Sequence, residues 1–224
     1  MADLTAQATS GDDLIVGTPS PDIMVGDAGN DTLLGRDGGD ALDGGEGGDI
    51  LRGEGGDDII YGGDGSDVLN GGDDNDFLVG QDGDDSIFGG SGHDKLLGGE
   101  GNDKLNGGEG DDRLNGGDGD DLLKGGDGND QLIGGTGNDR MVGGAGDDLF
   151  IFRTVDAGAV DTITDFTSGE DEIWIRELGV TDLSEVTQTT VGDDLVLTFA
   201  GLDQKIILSD LGGSSLTADD FLFA

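Results

Sequence analysis

A nine-residue period runs through most of this chain and constrains its fold more than any other feature. From Ala8 to Ile151 the sequence divides into sixteen copies without insertion or deletion. Position 1 is glycine in fifteen copies and position 4 in fourteen, with Ser20 and Asp74 as the exceptions at position 4. Position 6 is aspartate in every copy, and position 8 is always apolar. Such a strict short period is typical of a solenoid, in which each repeat packs mainly against its neighbours.

The overall composition alone would suggest disorder. The chain has 224 residues, of which 49 are glycine and 51 are acidic against 10 basic, and its formal net charge is −41. A high net charge destabilises a compact state and is typical of disordered acidic segments. Two positions held constant through sixteen copies favour a folded array instead. The same charge excludes a nucleic-acid partner, because this surface would repel phosphate.

Each copy contains the pattern of a short strand at its end. In a strand over positions 7 to 9, position 8 points inward and positions 7 and 9 point outward. Glycine at positions 1, 2 and 4 allows a turn with positive φ. The predicted inward residues are Ile15, Met24, Leu33, Leu42, Leu51, Ile60, Leu69, Leu78, Ile87, Leu96, Leu105, Leu114, Leu123, Leu132, Met141 and Phe150.

The turns offer only oxygen atoms as metal ligands. The chain has no cysteine, and its one histidine, His93, is predicted to be a surface residue of a turn. Carboxylate and carbonyl oxygens suit Ca²⁺ or Mg²⁺, and several adjacent carbonyls favour Ca²⁺, which accepts about six to eight ligands. One buried apolar residue per copy is too little to hold so acidic a chain together. A cation is therefore predicted to be required for folding.

The sequence contains no pattern that indicates catalysis. With a single histidine there is no H-E-x-x-H zinc site, and no G-x-S-x-G nucleophile motif occurs. The chain is therefore interpreted as a binding or structural protein and not as an enzyme. Trp174, the only tryptophan, is predicted to lie in the core of the C-terminal region.

The repeat, written G-G-x-G-x-D-x-U-x and seen as GGEGDDRLN over residues 107–115, resembles the calcium-binding repeat of the RTX (repeats-in-toxin) family. The resemblance covers about two-thirds of the chain. It implies an all-β fold, a right-handed parallel β-roll of about eight coils with a C-terminal β-rich cap. It also implies that two copies form one coil, with six residues of each copy in the turn and three in the strand.

The resemblance further implies a row of Ca²⁺ ions along each edge, between the turns of neighbouring coils. Each ion would bind the position 6 aspartates of two copies eighteen residues apart, together with carbonyl oxygens of positions 1 to 4. The implied carboxylate ligands are Asp13, Asp22, Asp31, Asp40, Asp49, Asp58, Asp67, Asp76, Asp85, Asp94, Asp103, Asp112, Asp121, Asp130, Asp139 and Asp148. In the most regular copies the implied carbonyl ligands are Gly99, Gly101, Gly108, Gly110, Gly117, Gly119, Gly126, Gly128, Gly135 and Gly137.

The number of turns limits the number of ions. Eight turns on each edge leave seven gaps per edge and allow at most fourteen ions, which would change the formal charge from −41 to −13. The second copy has Thr18, Pro19, Ser20 and Pro21 in its turn, and Asp74 replaces a turn glycine near Asp76. Occupancy is therefore expected at roughly ten to twelve sites.

The sequence changes character after Ile151, where glycine becomes sparse. Strands are predicted at Val160–Phe166, Asp171–Ile175, Asp194–Phe199 and Lys205–Leu208, with the last two as a hairpin around Gly201. This segment resembles the C-terminal regions that follow RTX repeats in serralysin-type proteases and alginate epimerases. The predicted organisation is an N-terminal lead (1–7), the repeats (8–151), and a capping and secretion-signal region (152–224).

Export is predicted from both ends of the chain. Residues 216–224 (LTADDFLFA) resemble the acidic and aliphatic end of type I secretion substrates. Residues 1–13 lack the features of a Sec-type signal peptide, and no stretch approaches the roughly 18 apolar residues of a membrane span. The chain is thus expected to be a secreted bacterial protein that uses the type I secretion machinery and folds on meeting Ca²⁺ outside the cell.

Several alternatives stay open at this point. Met1 lies shortly before the first repeat, which favours a complete small protein, and the alternative is the C-terminal calcium-binding and export module of a larger secreted protease or epimerase. An ice-binding or adhesin module is disfavoured, because Thr136 is the only threonine at position 3 and the position 5 asparagines are scattered. Self-association through one outer sheet face is suggested by Ile23, Val25, Ile59, Tyr61, Phe77, Val79 and Leu97, against Lys104, Asn106 and Lys124 on the other face.

Overall fold

The computed structural model describes residues 5–153, 158–176 and 179–223. Residues 1–4 of the predicted lead, and 154–157, 177–178 and 224 of the predicted capping region, lie outside the described residues. Within the described ranges the chain forms β-strands joined by turns, with 3₁₀ helices at Leu183–Glu185 and Ala218–Asp220. No helix in these ranges has the length and apolar character needed to cross a membrane.

The strands follow the nine-residue period until the end of the repeats and are irregular afterwards. In chain order they are β1 (Thr5–Gln7), β2 (Leu14–Val16), β3 (Ile23–Val25), β4 (Thr32–Asp37), β5 (Ala41–Glu46), β6 (Ile50–Gly55), β7 (Ile59–Asp64), β8 (Val68–Asp73), β9 (Phe77–Asp82), β10 (Ser86–Ser91), β11 (Lys95–Glu100), β12 (Lys104–Glu109), β13 (Arg113–Asp118), β14 (Leu122–Asp127), β15 (Gln131–Thr136), β16 (Arg140–Ala145), β17 (Leu149–Phe152), β18 (Val160–Ile163), β19 (Glu172–Ile175), β20 (Val186–Val191), β21 (Asp194–Phe199), β22 (Lys205–Leu208) and β23 (Phe221–Phe223).

Successive strands of the repeats alternate between two sheets. Sheet A has the order β1-β3-β5-β7-β9-β11-β13-β15-β17-β19-β23, and sheet B has the order β2-β4-β6-β8-β10-β12-β14-β16-β18-β22-β21-β20. Partners in the repeats are parallel and eighteen residues apart, as Leu96 with Leu114 in sheet A and Leu105 with Leu123 in sheet B. The prediction of an all-β parallel roll is confirmed. The roll has about nine turns against the eight predicted, because it continues beyond the repeats.

Most strands of the repeats are longer than the three residues that were predicted. From β4 to β16 each strand has six residues and includes positions 1 to 3 of the next copy, so that only positions 4 to 6 remain as the turn. The predicted division of each copy into six turn residues and three strand residues is therefore wrong. Glycine explains the difference: Gly99 has a φ of 132° and still pairs with Gly117, a conformation that a side chain would strain.

Two columns of apolar side chains, one from each sheet, fill the interior of the repeats. The position 8 residues from Met24 to Phe150 are all buried, and Ile15 at the N-terminal end is partly buried. Each strand contributes only one such residue, since its neighbours at positions 7 and 9 point outward. The predicted inward residues are thus confirmed, and the core they make is narrow.

The C-terminal strands continue both sheets instead of covering them from outside. Strand β18 pairs with β16 and β19 with β17 in parallel, and β22 and β23 add one more parallel strand to each sheet. The hairpin around Gly201 is confirmed as β21 and β22, and β20 extends it at the edge of sheet B. Strands β18 and β19 are shorter than predicted, and β20 and β23 were not predicted.

Candidate metal sites

The sixteen repeat aspartates form two rows on opposite edges of the roll. The turns that lead from sheet A to sheet B carry the first row, which runs from Asp13 to Asp139 in steps of eighteen residues. The turns that lead back carry the second row, from Asp22 to Asp148. The carboxylates from Asp22 onward are only 1–3% exposed. The structure therefore brings the predicted ligands together row by row, buried between coils.

From Asp31 onward, one carboxylate oxygen of each repeat aspartate holds the coils in register. The Oδ1 atom of Asp103 accepts a hydrogen bond from the amide of Asp85 at 2.8 Å, and Asp103 in turn donates its amide to Oδ1 of Asp121 at 2.8 Å. The same bond repeats along both rows. Each row is thus a continuous ladder of amide-to-carboxylate bonds.

The second oxygen of the inner aspartates has no donor. Oδ2 is buried without a hydrogen-bond partner in Asp31, Asp40, Asp49, Asp58, Asp67, Asp76, Asp85, Asp94, Asp103, Asp112, Asp121 and Asp130. A buried carboxylate oxygen without a donor or a cation costs more free energy than almost any other polar group. These twelve atoms are therefore the positions in the roll where a cation is needed most.

The pKa values of these carboxyl groups reflect the same imbalance. Burial raises the pKa of Asp121 to about 8, and the nearby carboxylates of Asp139 and Asp103 add to this shift against the hydrogen bond from the Asp103 amide. Burial likewise raises the pKa of Asp76 to about 8 and that of Asp85 to about 7. By contrast, hydrogen bonds from Thr9 lower the pKa of Asp13, at the N-terminal end of the first row. The inner rows thus carry carboxylates that are unfavourably ionised in the protein alone.

Backbone oxygens face the same gaps between coils. A side-chain carbon added at Gly98 would collide with both Oδ2 of Asp103 and the carbonyl oxygen of Gly116 in the next coil. At positions 2 and 4, the carbonyl oxygens of Gly99 and Gly101 lie against the equivalent glycines of the next coil, and those of Gly108, Gly110, Gly117, Gly119, Gly126 and Gly128 do the same. Gly135 and Gly137 occupy the same two positions in the fifteenth copy.

The donor set fits calcium. Across residues 5–153, 158–176 and 179–223, no three His, Cys, Asp or Glu side chains converge as a metal-binding group. Each gap instead combines carboxylate oxygens from two aspartates with backbone carbonyl oxygens. Hard oxygen ligands of this kind, several of them carbonyls, suit Ca²⁺ better than zinc or another transition metal.

Asp74 does not disturb the gap beside it. It replaces a turn glycine but adopts the same left-handed conformation, with a φ of 76°. The neighbouring Asp76 keeps its ladder bond to the amide of Asp58 at 2.8 Å, and its Oδ2 has no donor, as in the regular copies. The geometry at Asp76 thus gives no reason to expect a weaker site there.

Two aspartates outside the repeats extend the rows. Asp161 accepts the amide of Asp139 at 3.1 Å, and Asp171 accepts the amide of Asp148 at 2.9 Å, both through Oδ1. The nine-residue period does not predict them, because they follow their partners by 22 and 23 residues instead of eighteen. A usable signal was present: each is followed by one residue and then a buried isoleucine, as in the D-x-U part of the repeat.

A second ladder lies outside the first at position 5. His93 is exposed in its turn, as predicted, and its Nδ1 accepts the amide of Asp111 at 2.9 Å. The amide of His93 in turn donates to Oδ1 of Asn75 at 2.9 Å. The scattered position 5 asparagines thus support neighbouring turns from the solvent side.

The outer faces differ from the predicted pattern in the apolar side chains that they expose. Ile23 and Ile59 are exposed on sheet A by 54% and 44%, as expected, but sheet B also exposes Leu14, Val16, Ile50, Val68, Phe88 and Leu122. Self-association through one face stays a prediction. The contrast between an apolar and a polar face, on which the sequence argument depended, is wrong because both faces expose apolar side chains.

Trp174 lies outside the core, where it was predicted to be buried. It alternates along the strand with buried Ile173 and Ile175, and the Arg176 guanidinium lies 4.5 Å from its ring.

The family of the chain follows from its repeats. The family model described as RTX calcium-binding nonapeptide repeat (four copies) matches residues 7–42, 43–78, 70–105, 79–114, 91–123 and 115–150. Together these matches run from residue 7 to residue 150, which is more than half of the chain. The chain belongs to the RTX calcium-binding nonapeptide repeat family. Membership of this family implies Ca²⁺ binding by the repeats.

Two solved structures that are similar to the chain cover different shares of it. The AlgE6R3 subunit of the mannuronan C5-epimerase from Azotobacter vinelandii is 30% identical over 57% of this chain and 81% of its own, with a TM-score of 0.47. The extracellular lipase LipA from Serratia marcescens is 20% identical over 87% of this chain, with a TM-score of 0.36. The chain spans 45% of that lipase. No curated protein sequence matches this RTX chain.

Proposed function

We propose that this RTX chain is a calcium-dependent structural or binding protein whose roll forms only when Ca²⁺ occupies the gaps between coils. The proposal rests on one observation above the others, the twelve buried Oδ2 atoms that have no protein donor. A divalent cation beside each atom would supply the missing partner and would offset the repulsion within each row. Binding and folding would then be a single event.

The ligands would be the position 6 aspartates from Asp31 onward and the backbone carbonyls of the turns. In the gap between Asp85 and Asp103, for example, Oδ2 of Asp85 and the carbonyl oxygen of Gly98 lie close together, since both would contact a carbon added at Gly80. If each inner Oδ2 corresponds to one ion, the roll takes about twelve ions, within the expected ten to twelve. Calcium would supply positive charge between the coils, and the ligands that hold it would be oxygen atoms of the chain.

Export through a type I secretion system to the extracellular space is the second part of the proposal. Its support lies in the acidic and aliphatic C-terminal residues 216–224 and in a requirement for calcium that keeps the repeats unfolded where calcium is scarce. An unfolded chain can pass through a narrow channel, and the ions outside would then fold it. Loss of secretion after deletion of residues 216–224, with the repeats intact, would support this route.

No catalytic activity is proposed for the chain itself. The alternative is that it forms the C-terminal calcium-binding and export module of a larger secreted enzyme. The two proposals differ in what lies upstream in the coding sequence. An open frame that carries a catalytic motif and joins the repeats in phase would favour the enzyme module.

Circular dichroism during a calcium titration tests the main proposal. We expect little β-signal in calcium-free buffer, a cooperative rise as Ca²⁺ is added, and no equivalent rise with Mg²⁺, which gives up its water ligands reluctantly. A matched pair of variants adds a site-level test: Asp103→Asn should shift the midpoint to higher calcium, whereas Asp203→Asn in the C-terminal region should leave it unchanged. A full β-spectrum in calcium-free buffer at neutral pH would contradict the proposal.

A further inference from the structure

The aspartates at the ends of the two rows differ from the inner ones in the hydrogen bonds that their Oδ2 atoms accept. At the N-terminal end Oδ2 of Asp13 accepts both the amide and the hydroxyl of Thr9, at 2.8 and 2.7 Å. In the next copy Oδ2 of Asp22 accepts the amide of Thr18 at 2.5 Å. These threonines occupy position 2, where copies three to sixteen have no threonine. The first aspartate of each row therefore has a protein donor on the atom that lacks one in the inner copies.

The backbone of these two end turns also differs. In copies three to sixteen, positions 2 and 4 have positive φ even where the residue is not glycine, as at Arg36, Glu54 and Gln81. Neither Thr9 nor Thr18 is among the positive-φ residues of the described chain. The end turns thus place the position 2 amide on the carboxylate, and the inner turns do not.

The same turn closes the second row at its other end. Residues 167–171 read Thr-Ser-Gly-Glu-Asp, and residues 9–13 read Thr-Ser-Gly-Asp-Asp. The amide of Thr167 donates to Oδ2 of Asp171 at 2.7 Å, as Thr9 does to Asp13. The first row ends on Asp161, whose Oδ2 accepts Nε2 of Gln204 at 3.2 Å. Each row is therefore bounded at both ends by a carboxylate with a donor from the protein.

We propose that Thr9, Thr18, Thr167 and Gln204 terminate the two rows without metal, so that the gaps that begin at Asp13, Asp22, Asp161 and Asp171 hold no calcium. An N–H or O–H group directed at a carboxylate oxygen stabilises its charge and occupies the space that a cation would need. The end coils then keep their turns closed without an ion. This inference rests on the calcium-binding function proposed above and excludes the end gaps from it.

Counting bound ions in matched variants tests the inference. One double variant, Asp13→Asn with Asp22→Asn, changes the first aspartate of each row, and the other, Asp103→Asn with Asp112→Asn, changes an inner aspartate of each row. Equilibrium dialysis against radiolabelled Ca²⁺ measures the number of ions per chain. We expect the end variant to bind as many ions as the unsubstituted chain and the inner variant to lose at least two.

The outcomes separate the inference from the proposed function. An equal loss of ions from both variants would overturn the inference and leave calcium-dependent folding intact, whereas an unsubstituted chain that binds no calcium would contradict the proposed function itself. Asparagine keeps an acceptor for Thr9 and Thr18, so the end variant should still fold. If it does not fold, the unsubstituted chain decides, because at most fourteen bound ions, one for each gap that begins at Asp31 to Asp148, support the inference and more than fourteen overturn it.

Discussion

Between Asp31 and Asp130 each strand buries one apolar side chain, whereas β17, β19, β21 and β22 each bury two or three. The inner coils depend on one column of residues from each sheet, such as Leu105 in sheet B and Leu114 in sheet A. The C-terminal coils pack many buried side chains together: Phe150, Phe152, Ile163, Phe166, Ile173, Ile175, Val180, Val186, Leu195, Leu197, Phe199, Ile206, Leu208, Leu216 and Phe221. The two regions share the same sheets but differ in the amount of apolar surface they remove from water.

The carboxylates of the inner coils and of the C-terminal coils also differ in whether the protein donates a hydrogen bond to Oδ2. The inner aspartates have an Oδ2 atom without a donor, whereas Asp161 and Asp171 receive hydrogen bonds from Gln204 and Thr167. Under the proposed function, one architecture is stabilised in two ways, by cations where the core is narrow and by apolar packing where the core is wide. Calcium dependence should accordingly be a property of the inner coils rather than of the whole chain.

Acid should stabilise the calcium-free inner coils, and we expect this to be the largest effect because it acts on both rows at once. The folded-state pKa values of Asp76, Asp85 and Asp121, about 8, 7 and 8, lie above the ordinary value of 3.8. The folded state therefore binds more protons than the unfolded state, so stability is greatest below about pH 4 and falls as pH rises to about 8. Circular dichroism in calcium-free buffer should show more β-structure at about pH 5 than at about pH 8.

Asp13 provides an internal contrast for the pH experiment. Thr9 lowers its pKa, so its contribution has the opposite sign: it is present above the unfolded pKa and is lost as pH falls through the folded one. Amide exchange resolved by residue should show acid protecting the inner coils and loosening the turn at residues 9–13. A β-signal that decreases steadily on acidification would contradict the prediction that acid stabilises the calcium-free inner coils.

Core truncation should separate the two regions. Leu114→Ala in an inner coil and Ile173→Ala in β19 each remove a buried aliphatic side chain and should lower the free energy of unfolding by about 2–5 kcal/mol. We expect Leu114→Ala to raise the calcium midpoint and to leave residues 158–223 unaffected in calcium-free buffer. Ile173→Ala should lower the thermal midpoint of that C-terminal region with or without calcium. Equal shifts of the calcium midpoint in both variants would mean that the regions fold as one unit.

A smaller effect should come from the glycines of the turns. Gly98→Ala places a carbon against Oδ2 of Asp103 and the carbonyl oxygen of Gly116, and should cost about 1–3 kcal/mol and one bound ion. Gly55→Ala is the matched control, because no atom lies within 4 Å of its added carbon and its φ is not positive. The calcium midpoint and the ion count together measure the difference. If the two alanines had the same effect, the close approach at position 1 would not be part of the site.

The sequence predicted the repeats well because their two constant positions have direct physical meanings. Position 8 is apolar because it is buried, and position 6 is aspartate because it joins neighbouring coils. The difference between inner and end aspartates was not predicted. It depends on whether the residue at position 2 adopts positive φ, and both glycine and non-glycine residues do so in the inner copies.

The C-terminal region was harder to predict because no constant spacing relates its strands. Asp161 and Asp171 continue the rows after gaps of 22 and 23 residues, and β23 pairs with β19 across a long intervening segment. The side that Trp174 faces was also missed, although the alternation of DEIWI places it opposite Ile173 and Ile175. Trp174 was predicted to be buried because it is aromatic and is the only tryptophan in the chain. The two-residue period of the strand places it on the outer face instead.

The eighteen-residue register described for the sheets has a further consequence for how such a chain can change in length. Removal of residues 98–115 would join Leu97 to Gly116, and every later strand would keep both its sheet and its partner type. The rod would shorten by one step of roughly 4.8 Å. Removal of nine residues would instead exchange the sheets of everything that follows, including the C-terminal strands. Duplication and deletion in units of eighteen can therefore adjust the reach of the molecule while both of its ends stay the same.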